Sequence, residues 1–91
     1  MGAPMTASAG QVVFIAVNNA EVIVVKHDDG FAVVELVGNE DRLAKGDRVS
    51  GDWALLGQDS LTFGSRKLSA YYQGSLASFD EAVSMARKVN R

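Results

Sequence analysis

Five residues of this chain have types that could work together in binding: Trp53, Arg66, Lys67, Tyr71 and Tyr72. Aromatic rings beside cations on a barrel face hold single-stranded nucleic acid, with bases stacking on the rings and phosphates meeting the charges. Strand alternation puts Tyr71 and Tyr72 on opposite faces, so at most one of them joins such a platform. Asp52, next to Trp53, repels phosphate. The plainer reading is that Trp53 and Phe63 fill the core and one tyrosine stays exposed.

Catalytic sets are conspicuous by absence. No cysteine occurs, which removes disulfides, thiolate nucleophiles and every cysteine-based metal site. A single histidine, His27, rules out a histidine cage. It adjoins Asp28 and Asp29 at the tip of an expected hairpin, with no G-x-S-x-G elbow to serve, and reads as a solvated turn residue. Glu40, Asp41, Asp47 and Asp52 are carboxylates near one another in sequence and read as loop solubility. Asp28-Asp29-Gly30 lacks the calcium-loop spacing, and Asp52 stands where a phosphate-binding loop after Gly46 and Gly51 would need lysine. The expectation is a non-enzyme with no metal and no cofactor.

Composition is that of a globular chain: 91 residues, 47% hydrophobic and 22% charged, enough for one small domain. The net charge of −2 divides into −5 over residues 1–59 and +3 over residues 60–91, so no basic field covers the whole surface. Residues 1–10 have neither a basic nor an apolar segment and read as a disordered tail rather than a secretory signal. The longest apolar run, Val12–Val17, falls short of the roughly 18–20 residues that span a bilayer. Cytoplasmic location without membrane association is the default expectation.

The elements that must position these residues are mostly strands. Gln11–Val17, Glu21–His27 and Phe31–Val37 are rich in Val, Ile and Phe without a helical period. Asn18-Asn19-Ala20 and Asp28-Asp29-Gly30 supply the turns between them. These runs are apolar at nearly every position, so each is buried on both faces or curled tightly enough for each face to pack. Gly38–Asp47 reads as a polar loop anchored by Leu43, and Arg48–Gly57 as a fourth strand bent at Gly51. Gln58-Asp59-Ser60 reads as a turn and Leu61–Phe63 as a fifth strand. Beyond Gly64, Leu68–Gln73 either continues that strand or makes a sixth, stopped by Gly74.

Lys45-Gly46-Asp47 before an alternating strand resembles the turns of small SH3-like, OB-like and barrel-sandwich folds. There Gly46 supplies a permissive φ, Asp47 caps the turn and Val49 enters the core.

The final segment changes period. Ser78-Phe79-Asp80-Glu81 is a capping box, and Phe79, Ala82, Val83, Ala86 and Val89 form one apolar stripe. Asp80 and Glu81 at the start, with Arg87, Lys88 and Arg91 at the end, complement the helix dipole. The reading is a helix over residues 79–90 that covers one side of the sheet.

The expected whole is a mainly β domain over residues 11–91, a five- or six-stranded antiparallel barrel or strongly curled sheet with one C-terminal helix. Its expected role is a binding or adaptor module that holds a protein partner, or a second copy of itself, at a strand edge or the barrel rim. The alternative is the single-stranded nucleic-acid surface built on Trp53, Arg66, Lys67 and one tyrosine.

Overall fold

The computed structural model describes residues 8–17, 21–37 and 43–89. Six strands, β1 (Ser8–Val17), β2 (Glu21–His27), β3 (Gly30–Leu36), β4 (Arg48–Gly51), β5 (Gly57–Phe63) and β6 (Arg66–Leu76), precede one helix, α1 (Phe79–Val89). All neighbouring strands are antiparallel, and the order β1-β2-β3-β6-β5-β4 closes on itself as a barrel.

The apolar runs of β2 and β3 are buried on both faces. Ile23, Val25, Ala32, Val34 and Leu36 enter the barrel, where they meet Leu61, Leu68, Ala70 and Tyr72. Val22, Val24 and Val33 point outward, and α1 covers them with Ala82 and Ala86. The two alanines sit four residues apart on one helix face, and their small side chains let the helix approach the wall closely. Burying each of the three valines is worth about 1.5–3 kcal/mol, which holds a helix too short to persist alone.

A bulge in β1 serves the same double-sided packing. Val12 pairs with Val25 and Phe14 with Val24, leaving Val13 as the extra residue. Val12 and Ile15 therefore pack with the barrel interior, while Val13 and Phe14 both pack under the helix. Phe79 closes that outer layer with edge-on contacts to Phe14 and Phe31, at 6.4 and 6.0 Å between ring centres. The basic end of the helix has a packing role too, since the Arg87 guanidinium lies 5.5 Å over the Phe14 ring. At the helix start, the Glu81 N–H donates to Ser78 Oγ at 3.2 Å, as the capping box requires.

Several boundaries differ from those read along the chain. Ser8, Ala9 and Gly10, assigned to a disordered tail, pair with Gly51, Ser50 and Val49 of β4. The remaining tail residues 1–7 lie outside the described residues, as do the expected turn 18–20 and the end of the expected helix at Asn90. The fourth strand stops at Gly51, because the backbone turns between Asp52 and Leu55, where the Leu55 N–H donates to the Asp52 carbonyl at 3.0 Å. Gly51 does not mark a bend. A side chain there would collide with the Tyr72 hydroxyl and crowd the Trp53 and Leu61 side chains.

Gln58-Asp59-Ser60 is strand rather than turn and pairs with Tyr71, Ala70 and Ser69. Its polarity is that of a strand whose outer side is exposed, which imitates turn composition. Gly64 separates two strands, lying with Ser65 between the paired Phe63 and Arg66 at a φ of 63°. Gly74 does not stop β6. Val33 pairs with Gly74 and Val34 with Tyr72, so Gln73 is a bulge and the strand runs on to Leu76. The Lys-Gly-Asp turn is as expected: Gly46 has a φ of 96°, the Asp47 carboxylate accepts the Ala44 N–H at 2.7 Å, and Val49 is buried.

Closure at β5 is partial, since β4 reaches it only at the pair Ser50 and Thr62. The exposed edge is protected from within. The Ser60 N–H donates to Asp59 Oδ1 at 2.7 Å, and the Ser60 carbonyl accepts the Tyr72 hydroxyl at 2.8 Å. Both main-chain groups of Ser60 are thus used before another chain could pair with them, and Asp59 adds a charge to the edge.

Burial pushes the Tyr72 phenol up to about 12, with the nearby Asp59 charge adding to the shift. Its folded value therefore lies above the ordinary value near 10, so the folded state holds this proton more tightly than the unfolded chain does. Stability conferred by the protonated phenol is present below pH 10 and is lost as the pH rises toward 12. Tyr72→Phe is expected to cost about 0.5–1.5 kcal/mol at pH 8, because the hydrogen bond from the buried phenol to the Ser60 carbonyl is lost. The gap between wild type and variant should narrow above pH 10. Urea melts of both proteins across that range check this, and a gap independent of pH counts against it.

Candidate functional site

One end of the barrel is a cleft of about 530 Å³ whose lining includes His27, Asp28, Asp29, Asp52, Trp53 and Ser75. Strand alternation builds it. In β2, His27 has the parity of Ile23 and Val25, so it belongs to the interior face at the barrel mouth. Trp53, 5% exposed, enters the same mouth from the turn after β4. The imidazole and indole stack, with ring centres 5.6 Å apart and planes 14° from parallel. Gly10 and Gly51 make room for the indole, since a Cβ on either would crowd it.

His27 is therefore not the solvated turn residue expected. Its Nδ1 accepts the Asp29 N–H at 3.2 Å, and its Nε2 lies 2.6 Å from Ser75 Oγ at the far end of β6. Because Nδ1 is an acceptor, the neutral ring carries its proton on Nε2 and donates it to Ser75. A serine nucleophile needs the reverse, an imidazole lone pair facing the hydroxyl. The contact thus orients the ring and ties β2 to β6. Burial lowers the His27 pKa from 6.5, against the opposing pull of Asp29 and Asp28. The ring is accordingly uncharged at neutral pH.

The mouth is acidic. Asp28, Asp29 and Asp52 line it, and among the described residues no lysine or arginine does. Asp52 Oδ1 also accepts the Ala54 N–H at 3.2 Å, which fixes its position. Trp53 adds an unusual feature, for its Nε1–H is buried and has no acceptor among the described residues. An unpaired buried donor costs roughly 1–3 kcal/mol.

The residues singled out by type separate into different surfaces. Trp53 and Tyr72 are both inside, 6.2 Å apart between ring centres. Lys67 and Tyr71 lie on the outer face of β6, two residues either side of Ser69, and both are exposed. Arg66, at the start of β6, has the opposite parity and is exposed at the strand end. No surface unites the five. Of the acidic residues read as loop solubility, Asp47 caps its turn and Asp52 lines the mouth, while Glu40 and Asp41 lie outside the described residues.

Reading by residue type missed His27 and Ser75. The period-two pattern of Ile23, Val25 and His27 carried the signal for the first. Nothing local marked Ser75, which reaches His27 only through the closure of β3 onto β6. No helix among the described residues is long and apolar enough to cross a membrane, and no three histidine or carboxylate side chains among them are placed so that they could hold a metal ion. No family model, curated protein or solved structure matches the chain.

Proposed function

We propose that this chain is a non-enzymatic binding module that holds a cationic segment of a protein partner at the mouth of its barrel. The acidic mouth carries the reading: three carboxylates line it beside an uncharged imidazole, with no opposing cation in the lining among the described residues. A protein segment brings lysine or arginine cations for the carboxylates. The rim is favoured over strand addition because the open part of β5 is protected at Ser60 and Asp59. The tautomer of His27 supports a positioning rather than a catalytic role for the Ser75 contact. A cytoplasmic setting is the simplest one for such a cysteine-free module.

The chain holds a single tryptophan, so its own fluorescence reports on the mouth. A hexalysine peptide is expected to change the Trp53 emission saturably at low salt and less so at higher salt. Asp28→Asn, Asp29→Asn and Asp52→Asn together should weaken that binding roughly tenfold, at a few tenths to 1 kcal/mol per exposed charge. Labelled single-stranded RNA should not bind. RNA binding with a clear salt slope, lost in Lys67→Ala, would instead favour the nucleic-acid alternative on the outer face of β6. A second copy occupying the mouth would appear as a dimer in sedimentation, abolished by the same asparagine substitutions.

A further inference from the structure

We propose that Lys26, Gln11 and Arg48 form an oxyanion-binding subsite on the outer wall of the barrel, beside the acidic mouth. Gln11 of β1 pairs with Lys26 of β2 on one side and with Arg48 of β4 on the other. Directly opposed residues of antiparallel strands project to the same face, so the three stand in one row across three strands. With neighbouring strands about 4.8 Å apart, the two cationic residues are roughly 10 Å apart at their Cα atoms, with a neutral amide between them. All three are exposed.

Their surroundings form a groove of about 360 Å³ along the wall. Ala9, which shares the outward parity of Gln11, offers only a methyl group and leaves the groove open. The Gln11 amide is held in place by donating through Nε2 to the Gly46 carbonyl at 3.3 Å. That nitrogen carries a second hydrogen, which an anion between the two cations can accept. The Arg48 fork suits two oxygens of a carboxylate or phosphate group, and Lys26 acts as a point charge. Asp28 also lines the groove on its β2 side, so an anion is best placed toward Arg48. The subsite does not depend on the reading of the mouth, because the cations are outside the barrel and belong to β2 and β4.

The test is an NMR titration of the whole ¹⁵N-labelled chain with inorganic phosphate and with acetate, at ionic strength held constant with chloride. The Arg48 Nε–H and the Gln11 side-chain amide are expected to shift together along one saturating curve with phosphate. Saturation with phosphate alone assigns a phosphate-bearing ligand, and equal saturation with acetate assigns a carboxylate. Lys26→Gln with Arg48→Gln, which keeps much of the aliphatic packing, should abolish the Gln11 shift. The Asp29→Asn, Asp52→Asn variant, which leaves Asp28 of the groove in place, should retain it, so failure of the mouth as a cation site leaves this subsite standing. The proposal is overturned if neither anion produces saturation, if Lys67 and Arg87 shift equally, or if the Gln11 response survives the double substitution.

Discussion

Replacing Trp53 with alanine is expected to destabilise the domain by about 3–5 kcal/mol, the usual cost of removing a large buried aromatic side chain. The indole is 5% exposed and lies against two glycines, the His27 ring and the Tyr72 ring. None of these can collapse into the space it leaves. Gly10 and Gly51 have no side chains, His27 is held by Ser75 and Asp29, and Tyr72 is held by Ser60. A domain of this length is stable by about 5–14 kcal/mol in total, at 0.05–0.15 kcal/mol per residue, so much of that margin goes. At roughly 4–8 °C per kcal/mol, the melting temperature should fall by more than 12 °C. Trp53→Phe should cost much less, because the N–H it removes has no partner among the described residues. Calorimetry of both variants decides the matter. Equal losses would mean that the indole N–H is satisfied in solution.

The second large effect is expected at Gly30, where the cause is backbone geometry. Gly30 follows the Asp28-Asp29 turn with a φ of 151°, and a Cβ there would meet the Leu76 carbonyl of β6. A main-chain oxygen cannot rotate aside as a side-chain end can, and the adjacent residues Phe31 and Leu76 are paired in the β3–β6 ladder. Gly30→Ala should therefore cost roughly 2–6 kcal/mol, combining an unfavourable φ with overpacking. Gly64 provides the control. Its φ is 63°, but nothing lies within 4 Å of its would-be Cβ, so Gly64→Ala meets only the conformational penalty. Denaturant midpoints of the two variants should differ widely. Similar midpoints would show that the approach of Leu76 is not rigid.

The tautomer of His27 and the protection of β5 bear on function in the same direction. Each weighs against an option, the first against a serine activated by its neighbour and the second against a bare strand edge. What persists is a mouth lined by three carboxylates and a wall that presents two cations. A partner carrying both signs of charge could engage them side by side, one group at Asp28, Asp29 and Asp52 and another at Lys26 and Arg48.

How far the chain could be read alone follows from the range of each interaction. Local and periodic features were legible: the Asp28-Asp29 hairpin, the Lys45-Gly46-Asp47 turn, the helix with its Ser78 cap, and double-sided burial of β2 and β3. Each depends on residues within a few positions of one another, where sterics and hydrophobic spacing act directly. Hydrophobicity on both faces of these runs also pointed to a closed or tightly curled sheet, although part of the outer burial comes from the helix. Strand limits in the second half were misread because Gln58-Asp59-Ser60 and Gly74 obey rules set by neighbours distant in sequence: a short β4 on one side and a bulge against β3 on the other. Only the tertiary structure decided the candidate site. His27, Trp53 and Ser75 are separated by more than twenty residues at each step, and their meeting depends on closing β3 onto β6 and β4 onto β1. Composition alone grouped Trp53 with Arg66 and Lys67, but the fold placed the indole inside, Lys67 on the outer face of β6 and Arg66 at the exposed strand end. Side-chain chemistry is written in the sequence, whereas the face each side chain occupies depends on pairings that only the closed barrel fixes.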